Sequence, residues 1–166
     1  MIVKLRKFSE NDLERLVLLA NNPKIANNLT DKFPYPYTEE AGKWFINFAL
    51  EHPGHNIFAI EVDGEYAGSI GIHPLDDVFK LSAEIGYWVG EEYWGKGVAT
   101  EAVRQIVEFG FQNLEINRIF ARPYVTNKAS QRVLEKSGFK LEARFEKTII
   151  KNGIIQDELV YAVRRM

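Results

Sequence analysis

From Ile2 to Phe8 apolar and basic residues alternate, the two-residue period of a half-buried strand. Ser9 follows, with Asp12 at the capping-box position. It predicts a helix carrying Leu13, Leu16, Val17, Leu19 and Ala20, which Asn21-Asn22-Pro23 stops. Phe33-Pro34-Tyr35-Pro36-Tyr37 reads as irregular, because each proline disfavours helix at the residue before it. Thr38 is the expected cap of a second helix, with Glu39 and Glu40 in its first turn where the helix dipole favours carboxylates. Three strands are expected next: Ile57 to Val62, then past Asp63-Gly64 Glu65 to His73, then Leu81 to Val89. A long helix from Gly97 to Gln112 places Val98, Ala102, Val103, Ile106, Val107 and Phe111 along one face. Asn117 to Val125 reads as a strand and Asn127 to Lys136 as a helix closed by Gly138. Leu141–Ile150 and Ile154–Val163, joined around Asn152-Gly153, form a final hairpin.

The order is β-α-α-β-β-β-α-β-α-β-β, an α+β fold with a mixed, mostly antiparallel sheet and about four helices. With no repeat, linker or low-complexity tract, residues 1–166 are expected to form one domain.

Composition narrows the chemistry. With 46% hydrophobic and 27% charged residues the chain is of ordinary globular type, and no apolar run is long enough to cross a membrane. Lys4, Arg6 and Lys7 interrupt any signal-peptide core, so cytoplasmic residence is the expectation. A net charge of -2 argues against non-specific nucleic-acid binding. The absence of cysteine excludes disulfides and a thiol nucleophile, and His52, His55 and His73 form no paired ligand motif, so no metal is expected.

The most informative segment runs Val89-Gly90-Glu91-Glu92-Tyr93-Trp94-Gly95-Lys96-Gly97-Val98-Ala99-Thr100, between a strand and the long helix. Gly95 and Gly97 allow a tight bend, and the first helical turn presents free N–H groups that, with Lys96, suit a diphosphate. A plain strand-to-helix turn would use the same glycines. Gly90 to Gly97 also approaches the G-x-x-x-x-G-K phosphate loop of nucleotide hydrolases. Gly97 stands there where a Ser or Thr hydroxyl would hold Mg²⁺.

Trp94-Gly95-Lys96-Gly97-Val98-Ala99 resembles the Q/R-x-x-G-x-G/A signature of the GNAT N-acetyltransferase superfamily, with Trp94 in place of Gln or Arg. Together with Ala99-Thr100-Glu101-Ala102 it resembles the RimJ/RimL-like branch, whose characterised members acetylate N-termini of ribosomal proteins. Asn127 to Phe139 is similar to the family's second block, N-x-x-S ending in Gly-Phe.

The resemblance implies acetyl-CoA as cofactor, no metal, and an amine acceptor attacking directly in a ternary complex. It places the diphosphate on residues 94–100 and the pantetheine arm along main-chain atoms of Tyr87, Trp88 and Val89, with a backbone N–H of Trp88 or Val89 polarising the thioester carbonyl. Asn127 would contact the coenzyme, although its N-cap position explains it equally well. Ser130 would meet the departing sulfur, and Glu84 would serve as general base, directly or through water. The acceptor is expected between the N-terminal helices and the last hairpin, near Phe33, Tyr35, Tyr37, Trp44 and residues 151–156, although the aromatic-proline stretch would serve equally well as a packed connector. Rival readings are a non-catalytic CoA-binding regulatory module and a phosphate-loop nucleotide-binding protein. A homodimer through terminal strand pairing is a further expectation.

Overall fold

The computed structural model describes residues 1–166. Its seven strands are β1 (Val3–Arg6), β2 (Ile57–Val62), β3 (Glu65–Pro74), β4 (Ser82–Val89), β5 (Arg118–Ala121), β6 (Lys140–Lys151) and β7 (Ile154–Arg164). They form one sheet in the order β1-β2-β3-β4-β5-β7-β6. Every neighbouring pair is antiparallel except β4–β5. The α+β architecture and the mostly antiparallel sheet follow the pattern of the sequence.

The helices are α1 (Leu13–Ala20), α2 (Pro23–Ala26), α3 (Glu39–Glu51), α4 (Val98–Asn113) and α5 (Lys128–Lys136). That is one more than the pattern of apolar positions predicts. Asn21-Asn22-Pro23 ends α1 and also opens α2: the Asn22 side chain accepts from Lys24 N–H at 3.0 Å, and Pro23 takes the first-turn position that needs no N–H. The Ser9–Asp12 capping box forms as expected, although it leads through a short 3-10 turn before α1.

Two apolar layers hold the sheet. On one face α4 and α5 bury Val98, Ala102, Val103, Ile106 and Leu134 against Ile60, Ile70, Ile72, Ile85 and Ile119. On the other, Leu16, Leu19, Ile25 and Ile46 of α1–α3 pack on Ala59, Tyr66 and Trp88. Each such aliphatic side chain removed from water contributes roughly 1.5–3 kcal/mol. The second layer covers mainly the β1–β4 side. On the other side Phe120, Val160 and Ala162 form only a small cluster.

All three histidines converge beside this second face. Their rings lie 5.8 Å (His52–His55) and 6.4 Å (His55–His73) apart, with Phe48 stacked on His52 at 4.5 Å. They form no group suited to a metal ion. Burial holds the His73 imidazole below its ordinary value, with Glu84 pulling the other way and His55 adding to the depression. Between that lowered value and the ~6.5 of an unfolded histidine, the unfolded chain takes up a proton that the folded chain refuses. Stability is therefore expected to fall as the pH drops below about 6.5, and His73→Gln should flatten that dependence. Urea midpoints at about pH 7.5 and about pH 5.5 measure it.

Candidate active site

The site begins where the sheet comes apart. β4 and β5 run parallel for three registered pairs, Ser82–Arg118, Ala83–Ile119 and Glu84–Phe120. Beyond Glu84 they separate, because β5 ends at Ala121 and turns into Arg122-Pro123, whose proline has no N–H to offer a ladder. The expected strand to Val125 is thus cut short, and Tyr124 keeps only an isolated bridge to Glu158. A cleft of about 520 Å³ opens between the diverging strands.

Its walls come from four places: Ile85–Val89 of β4, the turn and first residues of α4, Ala121–Pro123, and Asn127, Ser130, Arg132 and Lys136 around α5. Residues Lys24–Leu29 close one end.

Backbone alternation assigns the polar groups of β4. Gly90 N–H donates to Ala67 O at 2.8 Å, so Trp88 and Gly86, two and four residues earlier, also direct their N–H and C=O toward β3. Tyr87 and Val89 turn theirs toward the cleft. An extended ligand can add there as a further strand. Of the two amides expected to polarise a carbonyl, Val89 N–H faces the cleft and Trp88 N–H is committed to the ladder. The Val89 carbonyl already accepts from the Trp94 indole at 2.8 Å. Trp94, which stands where the signature has Gln or Arg, therefore uses its side chain to tie the loop to the strand end.

Gly95 and Gly97 adopt φ of +72° and +81°, the left-handed region that side chains strain. Gly97 is the N-cap of α4 and offers no side-chain oxygen, so the first-turn N–H groups of Val98, Ala99 and Thr100 are left for an anion. Lys96 is exposed and does not line the cleft. The cations that do are Lys24, Arg122, Arg132 and Lys136. Lys24 is paired with Glu91 at 2.6 Å, whereas Arg132 and Lys136 make no ion pair and lie four residues apart on one face of α5. The sequence signalled them only as an i, i+4 basic pair.

Asn127 caps α5, its Oδ1 accepting from Ser130 N–H at 3.2 Å, and it also lines the cleft, so the cap does not take it away from a ligand there. Ser130 Oγ lies 2.7 Å from Tyr87 Oη. Ser130 and the Tyr87 side chain thus meet at the inner wall.

The remaining expected residues do not line the cleft. Glu84 is the last β4 residue paired to β5 and does not line the cleft; Arg122 holds its carboxylate through Nε at 2.7 Å and Nη2 at 3.2 Å. Tyr37, 6% exposed, is a core residue packed with Phe33, which in turn meets Trp88; burial pushes its phenol up to about 12. Tyr35 is 53% exposed and Trp44 stacks on Phe48, neither at the cleft wall. The last hairpin does approach the N-terminal helices: Lys151 Nζ lies 2.9 Å from Asp31, and Asn152 donates to Asn27 at 3.0 Å.

Comparison with known proteins shows the fold and the family. The chain is 32% identical to the uncharacterized N-acetyltransferase YoaA of Bacillus subtilis, over 94% of this chain and 82% of YoaA. It is 38% identical over 101 residues to YdaF of the same organism, classed by its name with ribosomal N-acetyltransferases. That match covers 61% of this chain and spans only 55% of YdaF. The microcin C7 self-immunity acetyltransferase MccE, solved with acetyl-CoA and AMP, superposes with a TM-score of 0.82 at 27% identity, covering 98% of this chain and 92% of MccE. The family model of the acetyltransferase (GNAT) domain matches residues 3–140, and the chain belongs to that family.

Proposed function

We propose that the chain is an acetyl-CoA-dependent N-acetyltransferase that acetylates a primary amine, either a protein N-terminus or a small molecule. The observation that carries this is the cleft between β4 and β5, where unpaired main chain, a helix N-terminus behind two left-handed glycines and a serine hydroxyl line one continuous wall. The diphosphate lies on the turn at residues 94–100, and the pantetheine arm follows Tyr87 and Val89. Val89 N–H faces the thioester oxygen, where negative charge develops. No covalent intermediate is needed: the amine attacks the carbonyl carbon, and the thiolate leaves toward Ser130.

An α-amine with pKa ~8 is partly neutral at pH 7 and needs little help, whereas a lysine-like amine must shed about three units. Glu84 remains the base candidate. Arg122 occupies two of its lone pairs and leaves others for a water. Glu84→Gln is therefore expected to lower kcat/KM only on the order of tenfold near pH 7, below the usual contribution of a free base. The deficit should shrink as the pH approaches the pKa of the amine.

Isothermal titration with acetyl-CoA, followed by turnover on a panel of amino-acid, peptide and polyamine acceptors, tests the reading. Micromolar binding with turnover supports it. Binding with no turnover on any acceptor would favour a regulatory CoA-binding module, and binding of ATP-Mg²⁺ instead would favour a phosphate loop. The last is already disfavoured by Gly97, which has no hydroxyl for a magnesium ion.

A further inference from the structure

We infer that Tyr87 aims the Ser130 hydroxyl at the sulfur of the coenzyme, a positioning role in leaving-group stabilisation that rests on the proposed acetyl transfer. The two hydroxyls are 2.7 Å apart. A phenol is the better donor and an aliphatic oxygen the better acceptor, so the hydrogen in this contact belongs to Tyr87. Burial pushes the Tyr87 phenol up to about 12, against the opposing effect of Ser130, so it stays protonated through the working range. Tyr87 Oη has no other partner to which it could donate.

Ser130 is unusually free to respond. A helical serine commonly donates back to the carbonyl four residues earlier, as Ser137 does to Val133 O at 2.8 Å. Ser130 stands in the first turn of α5, and four residues before it is Thr126, outside the helix. Its hydroxyl makes no such bond. With its oxygen accepting from Tyr87 and its N–H held by Asn127, its own hydrogen is left to point into the cleft.

The step balances without a proton leaving Ser130. The amine nitrogen forms the C–N bond, the C–S bond breaks, and its electron pair passes to sulfur. The extra amine proton goes to water or to Glu84. A thiolate is a far weaker base than an alkoxide, so Ser130 contributes a hydrogen bond and keeps its proton.

The test compares binding of CoA with that of desulfo-CoA, which lacks the sulfur, by titration at an alkaline pH where the CoA thiol is ionised. Wild-type protein is expected to prefer CoA by about tenfold to a hundredfold, the range for a hydrogen bond to a charged group. Tyr87→Phe and Ser130→Ala should each abolish most of that preference while binding desulfo-CoA as wild type does. The double variant should lose no more than either single. A purely structural role for Tyr87 would weaken both ligands alike.

If Ser130→Ala loses the preference and Tyr87→Phe keeps it, Ser130 acts alone and the inference is overturned. A wild type without preference for CoA overturns it as well. Failure to bind either ligand would overturn the acetyl-CoA reading itself. Should Tyr87→Phe not fold, 4-aminophenylalanine at position 87 keeps the packing and replaces the phenol by a weaker donor that stays neutral at this pH. The preference for CoA should then fall, and an unchanged preference counts against the inference.

Discussion

Gly68→Val should be the most damaging single substitution near the site, lowering folding stability by about 3 kcal/mol or more, at or beyond the upper end of overpacking costs. A Cβ at Gly68 would run into the Trp88 carbonyl oxygen and lie 3.0 Å from Val89 Cα. These are backbone atoms of the neighbouring strand, held by the Gly68–Val89 and Ser69–Trp88 pairs, so no rotamer change relieves the collision. β3 and β4 would have to separate at the point where β4 presents its main chain to the cleft. Gly86→Ala is the matched control: it lies on the partner strand β4, paired with Gly71 of β3, and its Cβ would meet nothing within 4 Å. Urea unfolding should show a large loss for Gly68→Val and almost none for Gly86→Ala. A loss below about 1 kcal/mol for Gly68→Val would mean that the two strands can part without cost.

The second large effect is on binding. Gly97→Val should reduce acetyl-CoA affinity on the order of a hundredfold, equivalent to about 2.8 kcal/mol. Its fold should lose only ~1–3 kcal/mol, the range for a strained backbone residue. No protein atom lies within 4 Å of a Cβ at Gly97, so the stability term comes from the φ of +81° alone. The binding term is different: the added side chain stands at the N-terminus of α4, where a diphosphate would approach the amides of Val98–Thr100. Titration calorimetry alongside thermal unfolding separates the two terms. Near-normal affinity in a folded Gly97→Val protein would place the diphosphate elsewhere.

What was legible in the sequence was whatever depends on neighbours in the chain. The Ser9–Asp12 capping box, the Asn127 cap, the two left-handed glycines and the apolar stripe of α4 are all governed by spacings of a few residues. The cleft was not legible in that way. It exists because β4 and β5 stop pairing after Glu84, and that depends on how two segments more than thirty residues apart lie in space. The same holds for the Arg122–Glu84 ion pair and the Tyr87–Ser130 contact, which span 38 and 43 residues. Tyr37 shows the same limit: an aromatic among prolines can line a binding site or pack as a connector, and only the closing of α1–α3 over it puts it in the core.

The order of strands also bears on how the chain is made. β7 lies between β5 and β6, pairing Tyr161–Arg164 with Arg118–Ala121, and Arg165 then fastens to the carbonyls of Phe111, Leu114 and Ile116. During synthesis β5 therefore emerges from the ribosome as an unpaired flank and stays so until residues 161–165 have cleared the exit tunnel. A nascent chain stalled before that point would hold every residue of the cofactor cleft and still have one wall unsupported. Competence to bind coenzyme should appear late and abruptly rather than growing with chain length.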